Sequence, residues 1–218
     1  MKKNYLLTPG PTPLPDEVRQ AMSLPIIHHR TPQFQAILKE AHDGLKYVFQ
    51  TENAVFILAS SGTGAMEAAV VNLLSPGDFA VAVEAGKFGE RWTELCRVYG
   101  INAEVVTAEW GNAVDPKEIE KRLKLNPKIK AVFTTLCETS TGVTNDIEAI
   151  GKVVENSAAV LVVDAISGLG ALPCPADQWH CDVMVSGSQK GLMLPPGLGF
   201  ISVSPKAWKL VESAKCPR

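Results

Sequence analysis

Seven short apolar runs, each set off from the next by a turn or a helix-length segment, constrain this chain more than any other feature. They lie at 54–59 (AVFILA), 79–83, 104–107, 131–135, 159–163 (AVLVV), 183–186 (VMVS) and 199–203. Most are near-continuous in apolar residues rather than alternating, which predicts strands covered on both faces. Helical starts are readable between them. Thr31-Pro32 opens PQFQAILKEAHDGLKYVF, with Thr as N-cap and Pro in the first turn, and Asp115-Pro116 repeats the signal with Glu118 three residues on from the cap. Strands alternating with helices predict an α/β fold: a mostly parallel, mixed sheet with helices on both faces. The Pro/Gly-rich segment TPGPTPLP reads as part of an extended lead-in over 1–15.

Composition narrows the partners. Twenty-one basic and 23 acidic residues are interspersed along 218 residues for a net charge of −2, so no basic stripe marks a nucleic-acid or anionic-membrane surface. Five cysteines (Cys96, Cys137, Cys174, Cys181, Cys216) form no CxxC pair, which argues against a disulfide scaffold, a structural zinc site or an iron–sulfur carrier. No metal site is expected. The apolar stretch Tyr5-Leu6-Leu7 is too short for a signal h-region, and no run approaches a membrane span. A cytoplasmic protein is expected.

In a sheet of this kind ligands bind beyond the carboxyl ends of the strands, so the residues just after each run carry the functional information. The first run enters Ser60-Ser61-Gly62-Thr63-Gly64 and then AMEAAVVNLL, a Gly/Ser/Thr turn opening a helix. Such a turn offers free N–H groups and a favourable dipole to a phosphate. No lysine follows to make a Walker A loop, and Glu67 stands where a dinucleotide loop needs glycine. A tight strand–helix turn without a ligand has the same pattern. The run 159–163 ends in Asp164, a carboxylate that is costly to bury alone; a helix cap or an acceptor for a ligand N–H⁺ would explain it. After 183–186 comes Gly187-Ser188-Gln189-Lys190, with apolar or small residues on both sides of the lysine. Lys190 is either a loop lysine reaching water or a desolvated amine able to attack a carbonyl. Phosphate cradle, strand-end carboxylate and desolvated lysine are together what pyridoxal 5'-phosphate (PLP) requires.

The segments LLTPGPTPLP, SSGTGAMEAAVVNLLSPGD, ETSTGV, VVDAISGLGALP and SGSQKGLMLPPGLGF resemble the class V PLP-dependent aminotransferases, in the alanine–glyoxylate and serine–pyruvate group. The resemblance implies the large domain of a fold type I PLP enzyme over 1–218, with the family's smaller C-terminal domain, and its carboxylate-binding arginine, outside this sequence. It implies Ser61, Gly62, Thr63 and Gln189 at the phosphate and Phe88 stacked on the pyridine, where Trp is common. It places Thr139 near the 3-hydroxyl, Asp164 on the pyridine nitrogen, Lys190 as the imine-forming catalytic amine, and the segment holding Gly10 beside the substrate. The implied activity is amino transfer from alanine or serine to glyoxylate or pyruvate by a homodimer. Two relatives compete. Cysteine desulfurases usually carry His where Phe88 and Gln189 stand here, and subunits associated with soluble hydrogenases share the fold without established catalysis.

Overall fold

A computed structural model of the chain describes residues 6–215; Cys216 and the first five residues lie outside them. Seven helices and nine strands follow in the order α1 (Asp16–Met22), α2 (Pro32–Phe49), β1 (Ala54–Ala59), α3 (Gly62–Leu73), β2 (Phe79–Glu84), α4 (Lys87–Val98), β3 (Asn102–Thr107), α5 (Pro116–Leu125), β4 (Ile129–Thr135), β5 (Cys137–Glu138), β6 (Val143–Thr144), α6 (Ile147–Glu155), β7 (Val160–Asp164), β8 (Val183–Gly187), β9 (Leu198–Val203) and α7 (Pro205–Ser213). All seven expected strands form, each within two residues of its sequence bounds. They build one sheet in the order β1-β9-β8-β7-β4-β2-β3. Strands β8, β7, β4, β2 and β3 run parallel, and β9 runs antiparallel between β8 and β1.

The apolar runs are continuous because both faces are covered. Alternate residues point into two cores. Ala82, Phe133 and Val162 join Met66 of α3, Trp92 of α4 and Ala207 of α7 on one face. Val83, Val132 and Leu161 join Phe49 of α2, Ile119 of α5 and Ile150 of α6 on the other. Trp92 anchors the first core: it is fully buried, stacks on Phe133 at 4.9 Å, and donates its indole N–H to the Thr134 carbonyl at 3.2 Å. Large side chains buried in this way contribute ~1.5–3 kcal/mol each.

Helix starts follow the caps read from sequence. The Thr31 hydroxyl accepts from Phe34 N at 3.2 Å, and the Asp115 carboxylate accepts from Lys117 N at 3.0 Å, one residue short of the expected Glu118 amide. Two-faced coverage fails at the sheet edges. In β1 only Val55 is buried, while Phe56 is half-exposed and meets Trp208 edge-on at 5.9 Å. In β3 only Val106 is buried. Two features carry no sequence signal: α1, which buries no residue, and the two-residue ladder of β5 with β6. No helix among the described residues is long and apolar enough to cross a membrane.

Candidate active site

The carboxyl ends of β1, β2, β4, β7 and β8 lie on one edge of the sheet, and every residue picked out from sequence except Gly10, which precedes β1, ends or follows one of them. Parallel pairing brings this about, because strands that run the same way deliver their following loops to the same edge.

Ser61 caps α3, its hydroxyl accepting from Gly64 N at 3.3 Å. Among the described residues the N–H groups of Gly62 and Thr63 have no protein acceptor. Two free amides and two hydroxyls at a helix start are chemically suited to an anion. Gly62 is where separate elements meet. A Cβ there would lie 2.6 Å from Ile166 Cδ1, two residues past Asp164, and a Cβ on Gly187 would come 3.6 Å from Gly62 Cα. The same Gly187 position lies 2.9 Å from Gln189 Oε1, so Gln189 folds back beside the α3 turn.

Asp164 ends β7 on the α3 and α4 face and is 3% exposed. Its Oδ1 accepts from Ile166 N at 2.8 Å, and no other hydrogen bond reaches its side chain among the described residues. Burial pushes this carboxyl up from 3.8 to about 7. The Ile166 N–H and the charges of Arg91 and Lys190 oppose the shift, and the Glu138 charge adds to it. A carboxyl so placed accepts a proton, or a ligand N–H⁺, more readily than an ordinary aspartate.

Lys190 is half-buried beneath the lead-in segment. Thr12 N donates to the Gln189 carbonyl at 3.1 Å and the Thr12 hydroxyl donates to the Lys190 carbonyl at 3.1 Å, stitching this segment to the lysine loop. Gly10 then sits directly on the lysine side chain. A Cβ there would come 2.5 Å from Cδ and 2.8 Å from both Cε and Nζ. Because the obstacle is a flexible side chain, Gly10→Ala is expected to leave the unfolding midpoint nearly unchanged and to displace Lys190. Capture of an aldehyde by the lysine should slow by about 10- to 100-fold. Stopped-flow absorbance measures this directly, and an unchanged rate would mean that Lys190 leaves Gly10 before it reacts.

Phe88 opens the first turn of α4, half-buried, with the Arg91 guanidinium carbon 5.4 Å from its ring centroid. Arg91 also donates to the Thr63 hydroxyl at 3.1 Å, which ties the ring to the α3 turn. The Thr139 hydroxyl donates to Ser167 Oγ at 2.7 Å, and Ser167 donates to the Cys137 carbonyl at 3.1 Å. Contacts thus join the Ser61–Thr63 turn to Phe88 through Arg91, to the Asp164 turn through Ile166 and to Gln189 through Gly187, while Gly10 packs on Lys190 and Thr139 bonds to Ser167, three residues past Asp164. Arg91, Glu138 and Ser167 were not singled out from the sequence. For Arg91 the signal was its i+3 spacing from Phe88 on a helix. For Glu138 there was none, because it stands in the two-residue strand β5, three residues beyond β4.

Other features fall elsewhere. A cleft of about 970 Å³ lined by Lys46, Tyr47 and Leu172 takes in none of these residues. Cys96, Cys137, Cys174 and Cys181 are unbridged. Burial pushes the Cys96 and Cys174 thiols up to about 12 and raises Cys181 as well, as fits packing cysteines rather than nucleophiles.

The family model for aminotransferase class-V matches residues 4–216. The chain is 48% identical over 219 residues to the soluble hydrogenase 42 kDa subunit of Anabaena cylindrica, covering 99% of this chain and 57% of that protein. It is 41% identical over 221 residues to the L-aspartate–glyoxylate aminotransferase of Paracoccus denitrificans, covering 99% and 56% respectively. The structure superposes on the alanine–glyoxylate aminotransferase of Nostoc sp. with a TM-score of 0.92 at 32% identity, over 97% of this chain and 56% of that one. The chain thus spans little more than half the length of the relatives it matches. With 213 of its residues matched by that model and the fold shared with a solved member, the chain belongs to the class-V aminotransferase family.

Proposed function

We propose that residues 1–218 form the PLP-binding large domain of an aminotransferase that moves an amino group from a small amino acid, alanine or serine, to a 2-oxo acid. One observation carries this reading: Gly62 is in packing reach of both the Asp164 turn and the Lys190 loop, so an anion seat, a buried proton-accepting carboxylate and a shielded amine share one edge. These three groups fit PLP. The free amides of Gly62 and Thr63, with the Ser61, Thr63 and Gln189 side chains, would hold its phosphate. Asp164 would hold the pyridine N–H⁺, giving its buried carboxyl a partner beyond the Ile166 N–H. Phe88 would stack on the ring through the face that Arg91 leaves open, Thr139 would meet the 3-hydroxyl, and Lys190 Nζ would carry the aldehyde carbon.

Bound PLP supplies an electron sink for the pair left when a substrate Cα–H bond breaks. The chain's own residues then have separate tasks. Lys190 Nζ would act as general base and then general acid, holding and returning the substrate Cα proton. Asp164 would hold the proton on the ring nitrogen. Gly10, having no side chain, leaves Lys190 room to move between these positions. Glyoxylate is the favoured acceptor, because it stands in the names of both the Paracoccus and Nostoc relatives. A homodimer in the cytoplasm completes the proposal.

A second reading, a hydrogenase-associated subunit without catalysis, is favoured by the 48% identity to the Anabaena protein. A spectroscopic titration separates the two. The protein should turn yellow with PLP, bleach on adding L-alanine or L-serine, and regain its colour with glyoxylate. Failure to take up PLP would support the non-catalytic reading. Sulfide release from L-cysteine would support a desulfurase, against which Phe88 and Gln189 stand.

A further inference from the structure

Glu138 is fully buried, yet five close contacts from N–H and O–H donors converge on its carboxylate. Phe88 N lies 3.2 Å from Oε1 and 3.1 Å from Oε2, and Gly89 N donates to Oε2 at 2.9 Å. From the other side Ser140 donates to Oε1 through N at 3.2 Å and through Oγ at 2.6 Å. Helix α4 has glycine at its N-cap, Gly86, and no cap from its own side chains. Glu138, fifty residues further along the chain, supplies the acceptor instead. The fit is close: a Cβ on Gly86 would fall 2.5 Å from Glu138 Cγ and 2.6 Å from Ser140 Oγ. A carboxylate at a helix start is favoured by the exposed amides and by the helix dipole. Here the amides it grips belong to the very turn that carries the ring of Phe88.

We propose that Glu138 is a positioning residue that sets Phe88 against the cofactor ring. The proposal rests on the PLP reading above and extends it to a residue with no contact to the cofactor of its own. Gripping Phe88 and Gly89 by their amides fixes the backbone from which the aromatic ring projects, while Arg91 lies over one face of that ring. A ring fixed in this way stacks without having to be ordered on binding, which is where preorganisation gains affinity. Ser140, donating twice to the same carboxylate, holds Glu138 in turn, and its hydroxyl accepts from Lys87 N at 3.0 Å.

The test is a double-mutant cycle read by PLP titration of the full chain, with the position of its visible absorption band as a second readout. Glu138→Gln should weaken PLP binding by about tenfold and shift the band. In a Phe88→Ala background the same substitution should change affinity by less than about twofold, since the ring it positions is gone. Equal losses in both backgrounds would overturn the proposal and leave Glu138 as a cap for the fold alone. Should Glu138→Gln fail to fold, Ser140→Ala removes one donor from an exposed position. It should weaken binding by about threefold with Phe88 present and not without it; an equal or absent effect in the two backgrounds overturns the proposal. A chain that takes up no PLP at all overturns the PLP reading and this one with it. A chain that takes it up normally in every variant overturns only this one.

Discussion

Lys190→Ala is expected to remove the covalent link to PLP and lower amino transfer by about 1,000-fold or more, the scale of losing a positioned acid–base group together with a nucleophile. Binding itself should survive. The α3 turn, Asp164 and Phe88 would still hold the phosphate and ring, so the variant should retain PLP that dialysis slowly removes. Among the described residues Lys190 is the lysine packed against Gly10, beneath the lead-in segment that Thr12 ties to its carbonyl, and no other lysine is expected to replace it. The measurement is turnover of alanine with glyoxylate in the assembled enzyme, beside the absorption spectrum. A rate within tenfold of the parent would remove Lys190 from the chemistry.

Asp164→Asn should have two effects of opposite sign. With PLP loaded, turnover should fall by about 100-fold or more, because an amide does not hold the ring proton that draws electrons from the substrate carbon. Without PLP the substitution should stabilise the fold at alkaline pH. Burial raises the folded carboxyl from 3.8 to about 7. Between these values the folded state keeps a proton that the unfolded state releases, so stability declines as pH rises from about 4 to about 7 and stays low above that. The interval corresponds to about 4 kcal/mol. Asp164→Asn should recover much of it at pH near 8, less whatever an unpaired amide N–H costs, and nothing below pH near 4. Urea unfolding across that range reads the difference directly. A pH-independent difference would mean that Asp164 is not desolvated as its burial implies.

Both effects express a trade at the site. On the reading proposed above, the burial that disfavours a charged Asp164 would suit it to a protonated ring, and a carboxylate so placed was legible in sequence because it ends a run of five apolar residues. Lys190 was legible for the same reason, a charge among apolar and small residues. The seven sheet strands could be read because helices cover both faces of most of them, which removes alternation and leaves unbroken apolar runs. Helix α1 could not, since a seven-residue helix that buries nothing has no periodic face to display. The β5–β6 ladder is two residues a side, too short for any pattern. Glu138 escaped notice because its role is tertiary: it caps a helix that precedes it by fifty residues, and no local spacing connects it to Phe88. Gly10 was placed beside the substrate by resemblance, but its packing on Lys190 came from the path of the lead-in segment, which sequence pattern does not determine.

Whether Lys190 is the amine that bonds to PLP can be read chemically. The protein is incubated with PLP, reduced with borohydride, digested and mapped by mass spectrometry. A stable pyridoxyl adduct is expected on the peptide that contains Lys190, absent from Lys190→Ala. An adduct on a peptide carrying Lys87 or Lys209 instead, with Lys190 unmodified, would contradict it.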